Sequence, residues 1–205
     1  ADNTGLQPLA TVAAFDLGFL PRRELIDRRE RTLATMASLR RLRGHFYNGY
    51  RLADLGVLEP PYVSTVDSGN LAGHLIATAA ACHEIAAGVR DVAQPATDDA
   101  GRLESIAERA REMALAMDFT LLFDETRKLF PIGFDERANR LDASSFDLLA
   151  SQARLASFIA IAKGDAPAEH WSLLGRRLTP PVGATALASW TGRMCECLLP
   201  ARVLP

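Results

Sequence analysis

From Ser144 to Lys163 the apolar residues Phe146, Leu149, Ala153, Ala156 and Ile159 recur three and four positions apart, the spacing that lines one face of a helix. Ser144 with Asp147 makes a capping box at its start, and Gly164 is a natural stop. The same period returns along most of the chain. Leu6, Leu9, Ala13, Leu17 and Leu20 predict a helix over 4–20, capped by Asn3 or Thr4. Leu25, Ile26, Leu33, Met36 and Leu39 predict a second, which starts near Pro21 and runs through RRELIDRRERTLATMASLRRLR. Leu71, Leu75, Ala79, Cys82 and Ala86 predict a third that reaches about Ala87, with Asp67 or Ser68 as its cap. A shorter helix is predicted from about Leu103 to Met117, and a last one from about Ala184 to Leu199. In FTLLFDETRKLFPIGFDERANRLD two short β-prone runs flank the turn-like stretch Asp124 to Lys128, which reads as a small β-hairpin near 119–134. Strands do not alternate with helices, so a parallel α/β fold is excluded and an all-α fold of antiparallel helix pairs is expected.

The chain has 205 residues, of which 48% are hydrophobic and 23% charged, enough for one sizeable core and too apolar for disorder. A formal charge of -2 and a pI near 6.1 give no bulk attraction to nucleic acid or to anionic lipid. The eight arginines between Arg22 and Arg43 are interleaved with Glu24, Asp27 and Glu30, so they read as a solvated, locally paired helix face. The longest apolar stretches, such as Leu155 to Ala162, are too short to cross a bilayer, and ADNTGLQPL has no signal-peptide pattern, so no direct membrane insertion is expected. Cys195 and Cys197 lie too close together for an easy mutual bridge, and with Cys82 they make an odd count that fits a reducing compartment.

Metal and cofactor chemistry find little footing. His45, His74, His83 and His170 are dispersed, and Cys-x-Cys is not the usual zinc spacing, so no metal site is expected. Gly69 and Gly73 in GNLAG lack the lysine and the preceding strand of a phosphate loop, and no cofactor is expected. STVDSG lacks the spacing of a nucleophile elbow. What remains suits a neutral, hydroxyl-rich ligand. Tyr47, Tyr50, Tyr62 and Trp190 offer flat faces for sugar rings, and Asn48, Asn70, Ser64, Thr65 and Asp67 offer hydrogen bonds. The residues alone leave open that each aromatic packs against a neighbouring helix. Glu196, set among Met194, Leu198 and Leu199, must reach a pocket or pair with Arg154 or Arg193.

The runs GHFYNGY (44–50), YVSTVDSGNLAGHL (62–75), DASSFDLLASQARLASFIAIAKGD (142–165), EHWSLLGR (169–176) and SWTGRMCECLLP (189–200) resemble the glycoamylase-like cyclization domain of bacterial cyclic β-1,2-glucan synthases. The resemblance implies an (α/α)6 toroid and retaining transglycosylation, in which a linear β-1,2-glucan is cut and closed into a ring. It implies Glu196 as the catalytic nucleophile and His45, Asn48, Asp67 and Asn70 as residues lining the glucan cleft. With the aromatics read above, the expected substrate-binding set is His45, Asn48, Tyr50, Tyr62, Asp67, Asn70 and Trp190. The implied parent is a synthase of the bacterial inner membrane, with this chain a soluble cytoplasmic portion packed against its other domains.

The match is not uniform. Gly49 and Arg51 stand where the family carries tryptophan and aspartate, and Gln152 stands where an acid is expected. The family's second catalytic acid has no counterpart before Pro205, and a six-hairpin ring needs about twice the helices visible here. Residues 1–205 are therefore expected to form a portion of the domain, a partial toroid. An endo-acting β-1,2-glucan hydrolase and a non-catalytic glucan-binding or scaffold segment are the competing readings.

Overall fold

The computed structural model describes residues 2–91, 98–179, 186–194 and 196. Its centre is α3 (Thr65–Asp91), a 27-residue helix against which α4 (Asp99–Leu115), α1 (Asp2–Asp16) and α5 (Arg154–Lys163) pack. The predicted stripe of α3 is the buried one, since Leu71, Leu75, Ala79, Cys82 and Ala86 all lie in the core. Its cap differs from the expectation. The Ser64 hydroxyl accepts from the Asp67 N–H at 3.2 Å, and the Thr65 hydroxyl donates to the Pro131 carbonyl at 2.7 Å, so the helix begins three residues before Ser68. Neither Asp67 nor Ser68 caps it, because the strand that precedes the helix already brings Ser64 to the free N–H groups.

Two glycines explain how closely α3 meets α5. A Cβ on Gly69 would lie 2.5 Å from the backbone of Ala156, and one on Gly73 would lie 2.7 Å from the Leu155 side chain. GNLAG is thus a seam of close helix contact. Gly69→Ala is expected to destabilise the chain by about 1–3 kcal/mol through this overlap, read as a lower urea midpoint; unchanged stability would show that the seam gives way freely.

The second helix, α2 (Arg22–Ser38), buries Leu25, Ile26, Leu33 and Met36 as predicted, with Pro21 as its N-cap residue. It stops short of Arg43 because Leu39 turns extended (φ -72°, ψ 141°) and β1 (Arg41–Leu42) pairs with β2 (His45–Phe46) around Gly44, whose φ is 84°. Arg29 also departs from the solvated face, lying 1% exposed. Its neighbours do form surface pairs, Arg28 with Glu24 and Arg102 with Asp27 and Glu30. In α1 the predicted stripe is displaced: Thr11 and Val12 are buried, whereas Ala13 is exposed and Leu17 is 70% exposed. The Thr11 hydroxyl accepts from the Arg29 guanidinium at 2.8 Å, which fixes the inward face of α1. The helix ends at Asp16, and Gly18 turns the chain at φ 77°.

The fold is about half helical, with three small antiparallel sheets among the described residues where the sequence predicted one β-hairpin near 119–134. Phe119–Leu122 is a 3-10 turn and not the first strand of a hairpin, because the Asp118 side chain caps it by accepting from the Thr120 N–H at 3.0 Å. Asp124 does close the predicted turn, bridging to Leu129 and accepting from the N–H groups of Thr126 and Arg127. Beyond it, β4 (Phe130–Pro131) pairs with β7 (Ser145–Phe146), while β5 (Gly133–Asp135) lies between β3 (Tyr62–Ser64) and β6 (Arg140–Leu141).

The strand β7 occupies the start of the helix predicted over 144–163. Pairing with β4 holds Ser145 and Phe146 extended, and Asp147 accepts from Gly175 N–H at 2.7 Å, so helix forms only from Arg154. The Ser144–Asp147 capping box is absent; the stop at Gly164, in the left-handed region at φ 83°, is present. A short α6 (Glu169–Leu173) follows. Of the predicted helix over 184–199, residues 186–194 are irregular, and 184, 185, 195 and 197–199 lie outside the described residues. Leu187 is bridged to Leu178, which commits that stretch to extended backbone.

Two fully buried histidines tie the loops to the helices. His45 joins the Ser68 hydroxyl at 3.0 Å through Nδ1 and the Asp118 carbonyl at 2.8 Å through Nε2. His170 joins the Ser157 hydroxyl and the Lys128 carbonyl, both at 2.8 Å. Phe119 and Phe130 fill the space between them edge to face.

Candidate functional site

The first two turns of α3 carry Asp67 and Asn70, and Trp190 packs beside Val66 in the first of them. The contact is apolar: Trp190 joins a cluster of Val66, Phe146, Ala153 and Ile132, with its ring 4.8 Å from that of Phe146. Two hydrogen bonds fix the tryptophan. Its indole N–H donates to Asp147 Oδ1 at 3.1 Å, and its backbone N–H donates to the Ala150 carbonyl at 2.9 Å. The loop 147–153 that replaces the predicted helix is therefore the support of this site.

Glu196 is 1% exposed, and its charge is satisfied within its own loop. The Thr191 N–H donates to both carboxylate oxygens, at 3.2 and 2.9 Å, and the Thr191 hydroxyl donates to Oε1 at 2.7 Å. Burial raises the carboxyl pKa, but the Thr191 bonds, with others from the Ser189 side chain and the Arg193 backbone, outweigh it and hold the group below its ordinary range. Glu196 is an ionised carboxylate at neutral pH, suited to act as nucleophile or base and not as a proton donor. Thr191 is the residue that holds the carboxylate, with two of its groups.

The other predicted ligand residues divide. Tyr62 is half-buried and donates its hydroxyl to Asp142, and burial with that carboxylate pushes its phenol pKa upward. Asn70 is buried, while Asp67 is half-buried. Asn48 is exposed, its N–H donating to the Tyr62 carbonyl at 2.9 Å. Asn48 and Tyr50 line a cavity of about 360 Å³ against α2, whose wall also includes Met36, Leu39, Tyr47 and Leu52. Tyr62, Asp67, Asn70, Trp190 and Glu196 are not part of that wall. His45 lines no cleft, being 0% exposed with both ring nitrogens engaged. Burial depresses its pKa to about 4, so it is a neutral core imidazole.

The expected substrate-binding residues thus divide between two places: the start of α3, beside Trp190, and an aromatic cavity beside α2. Sequence reading missed Asp147 and Thr191, which hold Trp190 and Glu196. The need of a half-buried indole N–H for an acceptor was the available signal. Among the described residues no group of three or more histidines, cysteines or acids is placed to hold a metal ion.

Solved structures place this architecture among glucoamylase-like proteins. One from Bacteroides caccae matches with a TM-score of 0.58 at 14% identity over 93% of this chain and 45% of that one. One from Bacteroides fragilis matches with a TM-score of 0.59 at 14% identity over 92% and 44%. The fold is accordingly of α/α-toroid type. In sequence, the chain is 31% identical to the cyclic β-(1,2)-glucan synthase NdvB of Rhizobium meliloti, over 98% of its own length and 11% of that protein's. The resemblance to cyclic β-1,2-glucan synthases carried by the five motifs is therefore borne out along nearly the whole chain, which spans about a tenth of the relative. The match runs over 313 residues against 205 here, so the relative has stretches within it that this chain lacks. No family model matches.

Proposed function

We propose that the chain is an arc of an α/α toroid in a glucan-processing protein, and that its substrate is linear β-1,2-glucan. The observation that carries this is the 31% identity to NdvB over 98% of the chain. The site chemistry supports it: an ionised, immobilised carboxylate at Glu196 stands in the same loop as the aromatic Trp190, which packs in a cluster with Val66, the residue before Asp67. In a retaining reaction Glu196 attacks the anomeric carbon as the glycosidic oxygen leaves, taking a proton from a second carboxylic acid. The glycosyl ester is then opened by a hydroxyl of the same glucan, closing a ring, or by water. Asn48 and Tyr50 bind the glucan away from the bond being broken. The parent protein, on this reading, sits at the bacterial inner membrane with this portion on the cytoplasmic side; no helix among the described residues is long and apolar enough to cross a membrane.

Mass analysis of products from linear β-1,2-glucan and the full-length protein tests the reading. Rings are expected, each lighter by one water than the linear chain of equal length. Shorter linear products alone would make the protein an endo-hydrolase. Binding without turnover would favour the scaffold reading, to which the near-complete burial of Glu196 lends weight.

A further inference from the structure

The guanidinium of Arg29 is 1% exposed and lies between α1, α2 and α3. Arginine stays charged in proteins, and a buried charge needs a partner. Among the described residues it has no carboxylate. One terminal nitrogen donates to the Thr11 hydroxyl at 2.8 Å and, at 3.4 Å, to the Gln7 side-chain oxygen, while Nε has no partner. Cys82 beside it supplies no counter-charge, since burial pushes its thiol pKa up to about 11.

Gln7 also lines an open groove of about 300 Å³ between α1 and α2, with Arg28, Arg31, Thr32 and Thr35. The charges of α2 are sorted around this groove. Asp27 and Glu30 turn to Arg102, at 2.7 and 2.6 Å, leaving Glu24 on Arg28 as the acid on the groove side. Arg31 uses its Nε on the Asp27 carbonyl at 3.1 Å and keeps its terminal nitrogens. Among the described residues, two guanidinium groups thus border the groove with one acid between them, and the third, Arg29, lies buried behind Gln7, whose side-chain oxygen occupies the position an anion would take against it.

We propose that the groove between α1 and α2 is an oxyanion site, in which a phosphate group seats between Arg28 and Arg31, displaces the Gln7 side chain and pairs with Arg29. Donors from Arg28 and Arg31 at the groove and from Arg29 behind Gln7 suit a tetrahedral group with several acceptor oxygens better than a planar carboxylate. The site is separate from the glucan-processing reading and stands or falls without it.

Thermal unfolding of the full-length protein tests it, in inorganic phosphate, in methyl phosphate and in chloride at matched ionic strength. Phosphate is expected to raise Tm, by about 2 °C or more at 10 times Kd and further in proportion to the logarithm of its concentration, where chloride does not. An equal effect of methyl phosphate identifies phosphate esters as ligands, and its failure restricts the site to the free ion. Gln7→Glu, which supplies an internal carboxylate, is expected to raise Tm without phosphate and to remove the phosphate shift. Arg31→Gln is expected to weaken phosphate binding several-fold and leave the unliganded Tm unchanged. A phosphate shift no larger than that of chloride, or one that survives intact in Gln7→Glu, overturns the proposal.

Discussion

Glu196→Gln in the full-length protein is expected to lower turnover of linear β-1,2-glucan by about 10³-fold or more, with glucan binding changed only a few-fold. The amide has nearly the shape of the carboxylate, but it lacks the charge that attacks the anomeric carbon and stabilises the positive ring. Thr191 provides the second half of the experiment. Its N–H and hydroxyl together hold the carboxyl ionised against the cost of burial. Thr191→Val keeps the N–H and removes the hydroxyl, so the carboxyl pKa rises towards its ordinary value. The acid limb of the pH–rate profile should then move to higher pH while KM stays near its original value. A role confined to holding the loop together would lower stability without moving that limb. Undiminished turnover in Glu196→Gln removes the residue from the chemistry.

How much of this was legible in the sequence differs between elements for physical reasons. The stripes of α2 and α3 were read correctly because each faces a continuous apolar surface, so burial follows the helical period. Residues 144–153 carry the same period and are not helical. There, pairing of β7 with β4 and the Asp147–Gly175 hydrogen bond outweigh local preference, and their partners lie 14 or more residues away in the chain. Arg29 shows the converse failure. Charge interleaving predicted a solvated face for all eight arginines, but a position one residue round from Arg28 points at Thr11 and is buried.

The site divides along the same line. Residue types suited to a sugar were legible, because aromatic faces and amides follow from composition. Their grouping was not. Asn48 and Tyr50 separate from Trp190 and Glu196 because the chain between them passes through β3 into α3, and no local spacing encodes that route. The stretch from His45 to Ser64 is polar and aromatic because it satisfies the neighbouring loops as well as offering groups to a site. Tyr47 donates to Glu136 at 2.9 Å, Tyr50 to the Arg40 carbonyl at 2.7 Å and Tyr62 to Asp142.

His45 shows the structural half of that division most sharply, and its loss should cost the fold heavily. His45→Ala is expected to destabilise the chain by about 3 kcal/mol or more, since it empties a packed volume against Phe119 and leaves the Ser68 hydroxyl and the Asp118 carbonyl unpaired. The same burial makes stability depend on pH. Desolvation lowers the folded pKa to about 4 from an ordinary value of 6.5, so between those values the unfolded chain binds a proton that the folded chain refuses. The stabilisation is complete above pH 6.5 and is lost as pH falls towards 4, by about 3 kcal/mol in all. His170, whose pKa burial also depresses, adds a loss of the same sign. His45→Gln keeps a donor and an acceptor and cannot titrate. Urea midpoints from pH 7.5 to 4.5 should therefore show it less stable than the parent chain at neutral pH but with a shallower acid loss. An unchanged slope would place the acid sensitivity elsewhere, and would reopen His45 as a residue that protonates within the fold.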